Sequence, residues 1–328
     1  MVGLLYPVMS GEFDNLGRML NGPIIGFVGS CFIVLNEIWY KQAFVRHMKF
    51  MTLLIYKSVL YSAFFVLIII LVMSIERALE NETNLFSFIG SDAFNLLIFE
   101  EDLDRIIIYA LAGTMAFILV YQISRKMGQG VLWSFIMGKY HRAREEERIF
   151  MFMDINNSTE LAEKLGDIDY NNLLNDFFFD ITDSILTNYG EIYRYVGDEI
   201  VVSWKLRKGL PHAHFIRTFF QAKRAIYLKR EKYLQLYGLV PSFTAGFNYG
   251  KVIVGEIGEI KSQICFFGDV MYETAALEKS CKKYNSDNLV SETLLNMVDL
   301  PLIFSTNEEG EVEIPGLTSM NTFSITEK

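Results

Sequence analysis

The stretch SVLYSAFFVLIIILVMSI, Ser58 to Ile75, runs eighteen residues without one ionisable acid or base. A helix rises about 1.5 Å per residue and a bilayer core is ~30 Å thick, so a run of ~20 such residues is long enough to span. Two further stretches, Met19 to Asn36 and Ile106 to Ser124, are also free of charge. The first is the weakest of the three because it contains Pro23 and three glycines, and a buried soluble helix is its alternative. The flanks test the set. Lys41, Arg46, His47 and Lys49 lie between the first two spans, and Arg125, Lys126, Lys139, Arg142 and Arg144 follow the third. Basic flanks belong on the cytoplasmic side. The connection from Glu76 to Asp104 is dominated by acids and suits the outer side. The expectation is a three-span membrane domain over residues 1–124 (19–36, 58–75 and 106–124), with the N-terminus outside. All that follows Ser124 would lie in the cytoplasm, giving an integral protein of the plasma (inner) membrane. No basic segment precedes the first apolar run and no small-residue cleavage site stands out, so a removable signal peptide is not expected.

Composition agrees with a chain partly in lipid. Of 328 residues, 51% are hydrophobic, and mean hydropathy is +0.24. The net charge of −9 argues against a general nucleic-acid binder, which needs clustered Lys and Arg to neutralise phosphates. Cys31, Cys265 and Cys281 have no C-x-x-C spacing and suggest neither a disulfide framework nor a zinc site. His212 and His214 in PHAH lack a nearby Cys or carboxylate partner and read as a solvated loop.

Past the third span the character changes. Leu132, Phe135, Ile136 and Tyr140 recur at helical spacing and lead into an Arg/Glu block, so a connecting helix is predicted at about 131–147, inside a linker of 125–147. A solvated linker is its alternative. From Arg148 to residue 328, strand-like and helix-like segments alternate. RIFMFMDI reads as a buried strand ending at Asp154, STELAEKLG as a short helix, and YNNLLNDFFFDITDSILTNYG as a longer one stopped by Gly190. EIYRYVGDEIVVSW reads as a hairpin, the segment from about Ala213 to Leu236 as a helix, and SFTAGFNYG and KVIVGEIG as two strands. The order β-α-α-β-β-α-β is that of an α+β ferredoxin-like (split βαβ, palm-type) domain with helices on one sheet face.

In that layout Asp154 and Asp198 project from the same sheet edge. Converging carboxylates are costly without a cation, and hard oxygen ligands select Mg²⁺ or Mn²⁺. The turn INNST after Asp154 opens a helix whose free N–H groups and hydroxyls suit a phosphate chain.

These segments resemble the class III adenylate and guanylate cyclases. The resemblance covers Arg148 to about Ile325 and rests on FMFMDINNSTELAEKLG, GEIYRYVGDEIVVSW, AGFNYGKVIVGEIG and FFGDVMYETAALEKSC. RYVGDEI also looks like the R-Y-G-G-D-E-F signature of diguanylate cyclases, but the later segments have no counterpart there. The resemblance implies a membrane-bound nucleotidyl cyclase that converts a nucleoside triphosphate, ATP by family frequency, into a 3′,5′-cyclic nucleotide and pyrophosphate. It further implies two Mg²⁺ or Mn²⁺ ions, held by Asp154, Asp198 and the backbone of Ile155. One ion would activate the ribose 3′-hydroxyl and the other would hold the triphosphate and leaving pyrophosphate. Substrate contacts would come from Asn156, Asn157, Ser158, Thr159, Arg194, Gly197, Cys265, Asp269 and Tyr272. The family's sites are composite, which implies a homodimer.

The other half of the pattern departs from the family. Tyr272 stands where Asn is usual, Ala276 where Arg is usual, and Pro315 where a Lys is expected. Arg194 and Cys265 occupy the base-reading positions without completing either the adenine or the guanine pattern. Arg carries donors only and suits edges with two acceptors, such as guanine O6 and N7, which leaves a keto base, guanine or uracil, open beside adenine. A degenerate domain that binds nucleotide or regulates a partner is the alternative function.

Overall fold

The computed structural model describes residues 16–39, 48–99, 103–128, 130–317 and 319–328. The chain divides into two compact units, 1–126 and 127–328.

The first unit is helical: α1 (Leu16–Trp39), α2 (Phe50–Glu80), α3 (Leu85–Ile89), α4 (Asp92–Phe99) and α5 (Leu103–Met127). All three expected spans fall on helices. Phe50–Leu79 and Ile107–Met127 are long and apolar enough to cross a membrane. In α1 the apolar part is shorter, Pro23–Glu37, with Pro23 inside the helix. Leu54, Tyr61 and Ile118 form a buried cluster flanked by Phe32 and Ile33, which joins α1, α2 and α5. Phe32 also stacks on Phe64, with ring centroids 3.5 Å apart. Ser74 and Thr114 return their hydroxyls to carbonyls one turn back, at 2.7 Å each, so these polar side chains cost the apolar helices little. Lys41, Arg46 and His47 of the first basic connection lie outside the described residues.

The predicted connecting helix is not formed over 131–147. Only α6 (Val131–Ile136) is helical, and β1 (Arg144–Ile155) already begins in the Arg/Glu block. The strand is favoured there because Arg144 to Glu147 pair with Val254 to Lys251 of the strand Phe243–Ile257. The Glu146 carboxylate accepts from Tyr140 Oη at 2.8 Å and Arg148 Nε at 2.9 Å, while Lys251 meets Glu145 at 2.9 Å.

The second unit continues with α7 (Ser158–Leu165), α8 (Asp167–Thr187), β2 (Glu191–Val196), β3 (Glu199–Lys205), α9 (His214–Leu228), α10 (Arg230–Tyr237), β4 (Phe243–Ile257), β5 (Gln263–Phe267), α11 (Asp269–Tyr284), β6 (Asn288–Ser291), β7 (Phe304–Val312) and β8 (Met320–Glu327). The strands form one mixed sheet in the order β2-β3-β1-β4-β6-β8-β7, with β5 paired to β4. Only β4 and β6 run parallel. The expected single helix from 213 to 236 is broken at Lys229 into α9 and α10, and the two strands expected at 242–258 are one strand, β4.

Alternation along the strands builds two cores. Ile149, Met151, Met153, Ile200, Val202, Trp204, Ala245 and Phe247 face α8 and α9. Phe150, Phe152, Val201, Val252 and Val254 face the opposite way, onto Val270 and Met271 of α11. Helices therefore cover both faces, not one. The cause is legible in two glycines. Gly246 and Gly250 lie on the α11 side of β4, where a Cβ at Gly246 would stand 2.6 Å from the Thr274 carbonyl oxygen and one at Gly250 would stand 2.8 Å from Val270 Cβ. Their lack of side chains lets the helix lie against the strand. The end of α8 is held by Trp204, whose buried indole N–H donates to the Asn188 carbonyl at 2.9 Å. Gly190 follows that end, and its amide closes the turn onto the Ile185 carbonyl at 2.9 Å.

Candidate functional site

Asp154 is the penultimate residue of β1, and Asp198 sits in the two-residue turn between β2 and β3. Met153 pairs with Ile200, so the antiparallel register brings the Asp198 turn beside Asp154 at one sheet end. The turn needs Gly197, whose φ of +65° is in the left-handed region that glycine adopts without strain. Both carboxylates are half-buried, and Asp154 Oδ1 and Asp198 Oδ2 are buried without a hydrogen-bond partner in the chain. Burial pushes the Asp154 carboxyl up to about 7, helped by a hydrogen bond with Asp198 and by the charges of Asp198, Glu278 and Glu199. Orphaned carboxylate oxygens facing like charges are the arrangement a hard cation relieves. Among the described residues no group of three or more His, Cys, Asp or Glu forms a protein cage for a metal. A cation at this pair would need oxygens from the backbone or a ligand, as Mg²⁺ bound with phosphates does.

Ile155 buries its side chain in the α8-side core, leaving its backbone between Asp154 and the following turn. Asn156 is drawn to β4: its amide donates to the Ser242 carbonyl at 2.9 Å and its Nδ2 to Ser242 Oγ at 3.1 Å. Asn157, at φ 56°, precedes α7 and gives the helix no side-chain cap, so the amides opening α7 at Ser158 and Thr159 are available to an anion.

Arg194 and Cys265 both lie near Tyr193. A bulge in β2 sets Ile192 against Val202 and Arg194 against Val201, leaving Tyr193 as the extra residue. The Tyr193 hydroxyl accepts from the Phe266 amide at 3.2 Å, next to Cys265, and Arg194 lies 5.0 Å from the Tyr193 ring. Asp269 opens α11 and is exposed, as is Tyr272 at 74%. Among the described residues no hydrogen bond or ion pair joins Asp269 or Tyr272 to the carboxylate pair. The site residues expected from sequence thus form two groups: Asp154 to Thr159 with Gly197 and Asp198 at the end of β1, and Arg194 with Cys265 around Tyr193. Asp269 and Tyr272 stand on α11.

Three further residues stand beside the carboxylates. Tyr170 comes from α8, and its hydroxyl is raised by burial and by the charge of Asp198 while hydrogen bonding with Ser158. Glu278 on α11 is buried, accepts from Thr244 Oγ1 at 2.8 Å, and is raised by burial. Glu199 is raised by burial, then by the charge of Glu278. Tyr170 and Glu278 reach the site from separate elements, so no local spacing reveals them, whereas Glu199 is the sequence neighbour of Asp198 in the hairpin motif.

Comparison with known proteins follows the same boundaries. The family model described as the adenylate and guanylate cyclase catalytic domain matches residues 141–327. Adenylate cyclase 2 of Rhizobium meliloti is 33% identical over 212 residues, covering 65% of this chain and 58% of that protein. The receptor-type guanylate cyclase gcy-4 of Caenorhabditis elegans is 28% identical over 183 residues, 52% of this chain and 15% of its own. The chain therefore spans little more than half of the first relative's length and a small part of the second. A solved bacterial light-regulated adenylyl cyclase superposes with a TM-score of 0.57 at 20% identity, covering 69% of this chain and 66% of that one. The adenylyl cyclase CyaB from P. aeruginosa does so at 0.50 and 18% identity, covering 57% and 97%. At such identities the two structures speak to the fold alone. Through residues 141–327, the chain belongs to the family of adenylate and guanylate cyclase catalytic domains, the class III nucleotidyl cyclases.

Proposed function

We propose that the chain is a membrane-anchored nucleotidyl cyclase that converts a nucleoside triphosphate into its 3′,5′-cyclic nucleotide and pyrophosphate. ATP is the first candidate, as the name of the Rhizobium relative, an adenylate cyclase, suggests. The observation that carries this reading is the convergence of Asp154 and Asp198, each with an orphaned oxygen, beside the uncapped start of α7. Asp154, Asp198 and the Ile155 backbone would hold two Mg²⁺ or Mn²⁺ ions. When bound, these supply positive charge for the triphosphate and acidify the ribose 3′-hydroxyl. The α7 amides and the Ser158 and Thr159 hydroxyls orient the phosphates. The 3′-oxygen forms its bond to the α-phosphorus as the bond to the bridging oxygen breaks, the hydroxyl proton leaves, and pyrophosphate departs. Arg194 and Cys265 read the base.

The site is completed by a second copy of the chain. This is supported by the separation of Asp269 and Tyr272 from the carboxylates and by an uncovered apolar face. Ile253 and Phe267 face each other across the β4–β5 pair, and both are exposed, as are Ile257 and Tyr272. The helical unit anchors the chain in the plasma membrane, with the cyclase unit on the cytoplasmic side, supported by α2 and α5 and by their basic flanks.

Purified full-length chain assayed with Mn²⁺ against ATP, GTP, UTP and CTP should form one cyclic nucleotide. D154N and D198N should each abolish turnover while leaving the Tm near that of the parent. Turnover surviving in either variant sinks the two-metal reading. A chain that binds a nucleotide with Mg²⁺ but turns none over is a regulatory binding module, the reading favoured by Tyr272 and Ala276 on α11.

A further inference from the structure

In the helical unit, four side chains from two helices converge on one carboxylate of a third. Lys57, only 1% exposed on α2, forms an ion pair with Glu37 Oε1 of α1, and Tyr61 Oη of α2 donates to the same oxygen at 3.0 Å. The other oxygen, Glu37 Oε2, faces α5. Tyr121 Oη stands 3.5 Å from it and Arg125 Nη1 stands 4.0 Å from it. The two halves of this contact differ in kind. Oε1 is fully engaged, and a buried lysine has strong reason to keep its counter-charge, since breaking a buried pair leaves an uncompensated charge. Oε2 is held by two donors only at the outer limit of bonding, Tyr121 at 3.5 Å and Arg125 at 4.0 Å.

Tyr121 and Arg125 are four residues apart, so they lie one turn from each other on one face of α5. A shift of α5 along its axis that brings one donor within bonding distance takes the other away. Shifts of about 1–2 Å are the usual size of helix movements at packed interfaces, and a movement of that order suffices to seat either donor. The helix that moves is the one that leads directly into the cyclase unit, since α5 ends at Met127 and the second unit begins there.

We propose that Glu37 is a two-position latch for α5: Tyr121 seated on Oε2 defines one position of the helix, Arg125 seated there defines the other, and the exchange sets cyclase output. Lys57 and Tyr61 hold the carboxylate still so that the choice falls on α5 alone. The link to output rests on the cyclase reading above; the exchange itself does not.

The test uses the full chain in membranes. Y121F removes one donor and favours the Arg125 position; R125Q removes the guanidinium, which is 58% exposed, and favours the Tyr121 position. The two variants should change turnover in opposite directions, each by on the order of fivefold, and neither should have an effect in an E37Q background, because both act through that one carboxylate. Spin labels on V34C of α1 and I123C of α5, with Cys31 and Cys265 replaced by serine, should report distance shifts of opposite sign in Y121F and R125Q. Turnover changes of the same sign, effects that persist in E37Q, or unmoved label distances each overturn the latch. So do opposite label shifts with unchanged turnover in an active enzyme. If the parent turns over no nucleotide, the cyclase reading fails, and the label distances alone decide whether Glu37 is a two-position contact.

Discussion

The carboxyl groups of Asp154 and Asp198, contributed by β1 and by the β2–β3 turn, converge at one sheet end, and burial together with the neighbouring Asp198 carboxyl holds the Asp154 proton up to about 7. An unfolded aspartate would lose it near 3.8. The folded, metal-free chain therefore binds more protons than the unfolded chain between those values, so stability falls as pH rises through this window. Thermal unfolding with a chelator present should show Tm declining between pH 5 and about pH 8 by an increment that D154N removes. Metal binding has the opposite sign, since the ion must displace the proton: apparent Mn²⁺ affinity should fall about tenfold per unit below about pH 7 and level off above it. Calorimetry in buffers of differing ionisation enthalpy should detect proton release at the low end of the range and little above it. A pH-independent affinity would mean that the ion does not use Asp154.

The buried guanidinium of Arg148, 2% exposed, bridges Glu146 at 2.8 Å and Glu191 at 2.7 Å. Burial alone would raise Glu146, but the Arg148 charge and hydrogen bonds from Tyr140, Arg148 and Lys139 hold it down to about 2. R148M leaves two carboxylates facing an apolar side chain and should destabilise the unit by about 3 kcal/mol, the low end for a broken buried pair because Glu191 keeps some solvent. Urea unfolding monitored by tryptophan fluorescence measures this. Adding E146Q and E191Q should recover most of the loss, since the destabilising element is the uncompensated charge.

Where each side of the molecule sits can be read by labelling. In the proposed orientation Lys49 lies inside and the acidic connection containing Thr83 outside. With Cys31 replaced by serine, an impermeant maleimide added to intact cells should label T83C and reach K49C only after permeabilisation. Labelling of both, or of K49C alone, reverses or abolishes the proposed orientation and would deny the cyclase unit its cellular nucleotide.

How far the fold could be read in advance follows from the range of the forces involved. The Asp154 strand, the α7 start, the α8 stripe and the Gly197 turn rest on spacing within a few residues, and all appear at their expected places. The split of β4 into two strands failed because Tyr249-Gly250-Lys251 looks like a turn locally. In the folded unit Gly250 instead lies under Val270, a residue twenty positions away. The Arg/Glu block at 144–147 has helical composition yet pairs as strand, since its charges find partners on β4 that no local pattern foretells. Gly246 and Gly250, within the AGFNYGKVIVGEIG segment, meet a packing requirement against α11, and they give a direct test. G246A drives a methyl into the Thr274 and Glu278 backbone and should lift α11, lowering Tm and weakening nucleotide binding together, whereas G197A should mainly strain the turn. An unchanged Tm for G246A would contradict the close helix–strand contact.

In the proposed cyclase, α11 positions 272 and 276 would set how much catalytic power the site retains. Tyr272 and Ala276 are one turn apart, so they share a face of α11, and Tyr272 is exposed. In the homodimer reading that face supplies groups to the carboxylate pair of the second copy. A neutral phenol and a methyl group at those positions offer little to the charge that develops as the 3′-oxygen attacks the α-phosphate, and each missing preorganised donor costs on the order of 10²–10³ in rate. The double variant Y272N/A276R supplies an amide and a cation there. Its kcat should rise with little change in KM, because the added groups act mainly in the transition state. Co-expression with D198N separates the halves. A heterodimer of Y272N/A276R with D198N should keep one composite site that joins intact carboxylates to Tyr272 and Ala276, and another that joins the restored face to the disabled carboxylates. The isolated heterodimer should show parental activity in its one working site and no gain. A gain in the isolated heterodimer, per intact carboxylate pair, equal to that of the double variant alone would place both groups in a single protomer and remove the composite site. Loss of existing activity in the double variant would instead assign Tyr272 to base recognition, shifting the expected substrate away from ATP.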